Sequence, residues 1–182
     1  MLLSLSSLRT MKSSFRSINE DLKYGTRGII LSTQSYSAEI LISAKPHSVY
    51  KAITRDIDKW WTELSNQTWQ VGDQLVVRFE KTTFWVMTVI EASPNRLLGW
   101  KVADANHDLK DLTKKDEWKD TTIKWEITEN ETGSKVILTH HGLVPALECF
   151  EICQTGWDYF LGSLKKYLET GIGYPYREAI GE

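Results

Sequence analysis

The chain has 182 residues, of which 41% are hydrophobic and 25% charged, a composition typical of one globular domain with a tail. Its net charge of −2 provides no positive field that would favour nucleic acid, and no apolar run approaches the ~18 residues of a membrane span. The unusual feature is tryptophan, which occurs eight times and predicts either an aromatic core or the wall of a pocket.

The N-terminal segment is rich in serine, has no acidic residue before Glu20, and lacks the long apolar stretch of a secretory signal. We expect residues 1–34 to form a disordered or weakly ordered tail and residues 35–182 to form the folded domain. Two other interpretations of the tail stay open: a weak organelle-targeting segment, and an extension from a start codon upstream of Met11.

Strand-like runs separated by turn residues follow the tail. Residues 37–43 alternate as a strand, and Pro46 begins a helix that covers residues 46–54. Further strands are predicted at 73–80, 83–92, 96–103, 121–128 and 134–141. Their short connections favour an antiparallel meander, and the segregation of strands from helices indicates the α+β class.

One connection, residues 103–120, is long and highly charged. It predicts either a solvated loop or a short mobile lid. In the second case, Leu109, Leu112 and Trp118 would form the underside of the lid.

The last helix is predicted to run from Pro145 to about Thr170 and to stop at Gly171. It carries one apolar stripe with helical spacing, formed by Cys153, Trp157, Phe160 or Leu161, Leu164 and Leu168. Only the sheet is large enough to cover this stripe. The matching inward-facing strand residues are Leu75, Val77 and Phe79; Trp85, Met87 and Val89; Leu98, Trp100 and Val102; Ile123, Trp125 and Ile127. A gap where sheet and helix diverge would be core if aromatic residues fill it, and a pocket if they only line it.

The titratable residues give no catalytic or metal-binding motif, and we expect neither a cofactor nor a metal. Cys149 and Cys153 lie four residues apart, unlike a CxxC site, and we interpret them as reduced core thiols of a cytoplasmic protein. His140 and His141 are neighbours on a strand and point to opposite faces, so they cannot share a metal. His140 is either a structural buried histidine or a polar group that anchors a ligand or acts as an acid or base.

Several short motifs share an order and spacing: KPHSVYKAIT (45–54), WW (60–61), VGDQLVVRF (71–79), SPNRLLGW (93–100), LTHHGL (138–143) and GWDYFLGSLKKYLETG (156–171). Through them the chain from Ala38 to Tyr176 resembles the START-like (SRPBCC, Bet v 1-like) helix-grip superfamily. It is most similar to the branch named after the C-terminal domain of the Hsp90 ATPase activator. The resemblance implies a curved antiparallel sheet wrapped around one long C-terminal helix, with a deep apolar cavity between them. Leu143 departs from the pattern, because the family usually has an aromatic residue there.

Three functions follow as hypotheses. The leading one is noncatalytic binding of a small apolar or aromatic molecule in the cavity. The predicted wall consists of Trp60, Trp61, Trp85, Met87, Trp100, Trp125, His140, Trp157 and Phe160. The alternatives are a cyclase or dehydratase-type enzyme using the same cavity, and a chaperone-interacting module with an exposed apolar patch. The eukaryotic activator also has an N-terminal domain that engages Hsp90. This chain has no room for one, so we do not expect Hsp90 activation.

Overall fold

A computed structural model describes residues 34–178, and the predictions for the N-terminal tail fall outside this range. Within it, the elements in chain order are β1 (Tyr36–Ile42), α1 (Pro46–Thr54), α2 (Ile57–Trp60), β2 (Gln74–Phe79), β3 (Thr83–Ser93), β4 (Leu97–Asn106), β5 (Thr122–Asn130), β6 (Gly133–His141) and α3 (Phe150–Thr170). None of these helices is long and apolar enough to cross a membrane.

The strands form one antiparallel sheet in the order β1-β6-β5-β4-β3-β2. Strands β2 to β5 each pair with the next strand along the chain, so the predicted meander is confirmed. The β3–β4 pairing shifts register between Val86 and Met87 and again between Val89 and Glu91. Such bulges bend a sheet. Strand β1 lies beside β6, so α1 and α2 connect the two edges of the sheet.

Helix α3 lies against the inner face of this sheet. All the predicted inward-facing strand residues are buried, with exposed fractions of 6% or less. On α3, the buried stripe contains Cys153, Trp157, Leu161 and Leu164, each 5% exposed or less. Apolar residues recur every two residues along the strands and about every 3.6 residues along the helix. Each element therefore has one apolar face, and the two faces pack together. The predicted α+β helix-grip fold is confirmed.

The start of α3 differs from the prediction. The helix begins at Phe150 and not directly after Pro145, because the intervening residues form turns. The backbone N–H groups of Glu148 and Cys149 donate to the Glu117 carboxylate at 3.1 and 2.8 Å. At the other end, Gly171 has φ 80°, and its N–H bonds the carbonyl of Tyr167, which confirms the predicted glycine stop.

The charged connection between β4 and β5, residues 107–121, lies over the interior of the domain; we call it the covering loop. Its apolar side chains Leu112 and Trp118 are only 9% and 6% exposed. The Glu148 carboxylate accepts the backbone N–H groups of Thr113 and Lys114 at 2.8 and 3.3 Å. This geometry agrees with the predicted apolar underside of a lid, and the mobility of the loop stays a prediction.

Candidate functional site

Five tryptophan rings meet between the sheet and α3: Trp60, Trp61, Trp100, Trp125 and Trp157, which we call the indole cluster. The centroid of Trp61 lies 5.6, 6.1 and 5.0 Å from those of Trp60, Trp100 and Trp157. Trp125 meets Trp60, Trp100 and Trp157 edge-on at 5.9, 5.7 and 6.0 Å. None of the five is more than 3% exposed. The predicted tryptophans at the end of α2 and on β4, β5 and α3 are therefore in mutual contact.

Hydrogen bonds of Trp60 fix the position of α2 beneath this cluster. Its indole Nε1 donates to the carbonyl of Ala52 on α1 at 2.9 Å. Its own carbonyl accepts the Ser163 hydroxyl of α3 at 2.7 Å. The short helix α2 is thus held to both neighbouring helices, and Trp60 and Trp61 are positioned by backbone contacts as well as by ring packing.

A second group of rings continues from the indole cluster towards the covering loop. The ring centroid of Trp118 lies 5.8 Å from that of Trp157 and 4.9 Å from that of Trp85. Phe79 follows at 5.5 Å from Trp85 and contacts Phe160 at 5.7 Å. Sequence reasoning placed Trp118 under a lid but did not include it in the wall.

Two of the predicted wall residues, Met87 and Phe160, differ in burial. Met87 is fully buried on the inner face of β3. Phe160 is only half-buried, and the fully sheet-facing position on that turn of α3 belongs to Leu161, which is 3% exposed. Phe160 and Trp157 contact different parts of the sheet. Phe160 meets Phe79 of β2, whereas Trp157 meets Trp125 of β5.

His140 is completely buried, and both of its ring nitrogens have protein partners. The Trp157 indole donates to Nδ1 at 3.2 Å, and Nε2 lies 2.9 Å from the Thr121 hydroxyl. Because an indole N–H only donates, Nδ1 accepts and the ring proton is on Nε2. Burial, with a smaller contribution from the charge of His141, lowers the pKa of His140 to about 3. The imidazole is therefore neutral at physiological pH.

Three indole N–H groups in the interior have no hydrogen-bond partner among residues 34–178. They belong to Trp85, Trp100 and Trp125, on the adjacent strands β3, β4 and β5. Trp100 and Trp125 are fully buried and Trp85 is 6% exposed. Buried polar groups are usually paired, and an unpaired one costs ~1–3 kcal/mol. These three donors are therefore unsatisfied polar groups in an interior whose aromatic rings pack against one another.

A thiol and an imidazole lie together under the covering loop. Cys149 and Cys153 are both free and buried, as expected. Sequence reasoning assigned His107 to a charged loop, but its side chain is only 6% exposed. Its Nδ1 lies 3.8 Å from the Cys153 sulfur. No group of three or more potential metal ligands occurs within residues 34–178.

A surface groove of about 830 Å³ lies away from this interior, between the start of α1 and the β3–β4 turn. Its charged side chains include two ion pairs, Lys45 with Glu129 at 2.9 Å and Lys124 with Glu126 at 3.0 Å. These two pairs compensate each other, and Arg96 adds one positive charge to the lining, so the groove offers little concentrated charge to a ligand.

Comparison with known proteins shows to which family this fold belongs. The sequence profile described as Activator of Hsp90 ATPase homolog 1-like protein matches residues 43–169, more than half of the chain. The chain belongs to this family. The match covers α1, the whole meander and nearly all of α3, and so includes every predicted wall residue. No curated protein sequence matches the chain.

Solved structures with the family's fold agree with this assignment. The Aha1 dimer from Colwellia psychrerythraea is 28% identical, with a TM-score of 0.62 over 75% of this chain and 97% of that one. Protein MLL2253 from Mesorhizobium loti is 20% identical, with a TM-score of 0.62 over 74% of this chain and 96% of that one. DynU16, from the dynemicin biosynthetic locus, is 20% identical, with a TM-score of 0.55 over 78% of this chain and 50% of that one. The last two likenesses show the fold alone.

Within this family fold, the residues that sequence reasoning missed all lie on or against the covering loop. His107 and Trp118 are distant in sequence from Cys153, and only the folding of the loop over α3 brings the three together. Trp118 was the available sequence signal, because it is the single tryptophan in a charged segment. A tryptophan in such a segment is usually buried, which indicates that the segment folds against the domain.

Proposed function

We propose that this protein binds, without catalysis, a small apolar or aromatic molecule that carries a hydrogen-bond acceptor, in the interior between the sheet and α3. The observation that supports this is that the indole N–H groups of Trp85, Trp100 and Trp125 have no partner in the part of the chain that the structure describes. A ligand oxygen or nitrogen that accepts from one of them removes the cost of an unpaired buried donor, which is ~1–3 kcal/mol. The indole faces around them favour an apolar or aromatic body.

His140 argues for binding rather than catalysis. Both of its nitrogens are used by Trp157 and Thr121, and its pKa is lowered to about 3 by burial. A general acid or base works best with a pKa near the operating pH and with a nitrogen directed at the substrate. The cyclase or dehydratase alternative would need another titrating group. The two buried free thiols support the expectation of a reducing compartment such as the cytoplasm.

The test is titration with 1-anilinonaphthalene-8-sulfonate, which combines an aromatic body with sulfonate acceptors. We expect saturable binding to one site that quenches tryptophan emission. Trp125→Phe removes an unpartnered donor and should weaken affinity by ~2–10-fold, the worth of one net hydrogen bond.

Trp60→Phe is the matched control, because Trp60 is equally buried but donates to Ala52. That change should lower stability, and it should weaken affinity less than Trp125→Phe does, because it removes no unpartnered donor. No saturable binding, or equal effects of both variants on affinity, would contradict the proposed site.

A second candidate function is contact with a chaperone of the Hsp90 type. The family and the 28% identity to the Aha1 dimer support it. So do the exposed apolar side chains of Trp69, Val71 and Ile90, which are 62%, 56% and 46% exposed. The N–H of Gly72 bonds the carbonyl of Val89 at 2.8 Å, which holds Val71 near the strand residue Ile90.

This second function predicts that purified Hsp90 binds the protein and that Trp69→Ser weakens the complex. Ile172→Ser is the control, because Ile172 is 68% exposed but lies after the end of α3. Absence of a complex in calorimetric titration, or equal weakening by both changes, would exclude this patch as the contact surface.

A further inference from the structure

The sulfur of Cys153 has two polar neighbours in the covering loop. It accepts the indole N–H of Trp118 at 3.1 Å, and it lies 3.8 Å from Nδ1 of His107. All three side chains are buried, with exposed fractions of 5% to 6%. Donors directed at a sulfur favour the thiolate over the thiol, and an imidazole at this distance can take the thiol proton.

The position of Cys153 in α3 adds to this effect. It lies in the first turn of a 21-residue helix whose N-cap is Cys149, where the helix dipole favours negative charge. Burial raises the pKa of Cys153, but hydrogen bonds with Cys149, His107 and Trp118 outweigh it and lower the pKa below the ordinary thiol value. The pKa of Cys149 is raised instead, by its bond to Cys153, by burial and by the nearby Glu117 carboxylate.

An unpartnered donor lies beside the same pair. The Trp85 ring is 5.3 Å from the His107 ring and 4.9 Å from that of Trp118. The Trp85 indole N–H is buried and has no acceptor within residues 34–178. Trp85 therefore contacts the rings of both His107 and Trp118, which are the two neighbours of the Cys153 sulfur in the covering loop.

We infer that Cys153 and His107 form a nucleophilic site that captures small α,β-unsaturated carbonyl compounds entering the interior. The thiol proton of Cys153 passes to His107, and the thiolate attacks the β-carbon of the compound. The new S–C bond forms as the C=C π bond breaks, and the electron pair moves onto the enolate, whose oxygen accepts from Trp85. His107 then returns the proton to the α-carbon. No oxidant, reductant or leaving group is needed.

This capture goes beyond the reversible binding proposed above and shares with it the Trp85 N–H group and the entry of a small molecule into the interior. The capture reaction depends on two properties of the Cys153–His107 pair: the thiolate character of Cys153 and the position of the His107 imidazole next to it. Cys149 provides a control within the same molecule, because it is also buried one helical turn away, whereas the contact with His107 is made by the Cys153 sulfur. Any local opening of the covering loop that exposes one thiol should expose the other.

The experiment uses N-ethylmaleimide, a small α,β-unsaturated carbonyl compound, on the native full chain at about pH 7, with rates at each cysteine measured by peptide mass spectrometry. We expect Cys153 to react at least ~10-fold faster than Cys149, because an ordinary thiol is mostly protonated at this pH. His107→Gln should remove most of this ratio while the rate at Cys149 stays unchanged. A ratio below tenfold in the wild-type protein, or reaction of both cysteines only after denaturation, would overturn the inference.

A second measurement covers the case in which His107→Gln fails to fold. The ultraviolet absorbance of the thiolate is followed against pH for the wild-type protein and for Cys153→Ser. The difference should titrate at least one unit below the ordinary thiol pKa of ~8.5. A midpoint closer to that value, or above it, would show that Cys153 is an unactivated core thiol.

Discussion

The indole N–H of Trp157 on α3 donates to Nδ1 of His140 on β6 at 3.2 Å, deep in the interior. This bond connects the helix to the sheet through two side chains that are both almost completely buried. Because the other nitrogen of His140 meets the Thr121 hydroxyl, the same histidine also holds the end of the covering loop. The role it supports is structural, one of the two that the sequence left open.

His140→Gln should therefore lower the free energy of unfolding by ~1–3 kcal/mol, the range for disturbing a buried hydrogen-bonded group. Chemical denaturation at neutral pH measures this. The control is His141→Gln, because His141 is exposed at the end of β6. Equal stability of both variants would contradict the structural role.

The same histidine predicts a pH dependence. Burial lowers the pKa of His140 to about 3 in the folded protein, whereas the unfolded chain has its ordinary value of 6.5. Between these values the unfolded state binds the extra proton, so stability is fully present above pH 6.5 and is lost as the pH falls. The His140 contribution should approach a slope of ~1.4 kcal/mol per pH unit in this window. The wild-type protein should show this slope relative to His140→Gln, and parallel stability curves would contradict it.

Truncation of Leu161 on α3 should destabilise the protein more than truncation of the larger side chain of Phe160. Phe160 is half-buried, whereas Leu161 is 3% exposed and faces the sheet. Leu161→Ala should therefore cost ~2–5 kcal/mol, and Phe160→Ala less than the ~3 kcal/mol at the low end for a core phenylalanine. Thermal or denaturant unfolding compares the two. A larger loss for Phe160→Ala would mean that this ring is core and that the helix is rotated from its described position.

The Glu117 carboxylate predicts a local effect at the start of α3, because it accepts two backbone N–H groups there. Glu117→Ala should cost ~1 kcal/mol, as loss of a helix cap does, and should speed amide exchange at residues 148 and 149. The neighbouring exposed residue provides the control, Asp116→Ala. Unchanged exchange at both amides would show that the loop does not hold the helix start.

Much of the fold could be predicted because the pattern is local. Pro46 marks the start of α1, and alternation along β3 places Trp85, Met87 and Val89 on one buried face. The start of α3 could not be predicted, because it depends on a carboxylate from another segment. The contact of His107 with Cys153 was missed for the same reason, since it arises only when the covering loop folds back over the helix. Whether an apolar face lines a cavity is likewise not encoded in periodicity.

The most direct test of ligand binding is to observe the indole N–H groups themselves, by proton–nitrogen NMR of the ¹⁵N-labelled protein during titration with 1-anilinonaphthalene-8-sulfonate. The indole N–H groups of Trp85, Trp100 and Trp125 have no acceptor within residues 34–178, so their signals should shift together and saturate with one dissociation constant. The signal of Trp60, whose N–H is already bonded to Ala52, should move least. Shifts confined to the exposed Trp69, or no saturable shift at the three unpartnered indoles, would contradict a binding site between the sheet and α3.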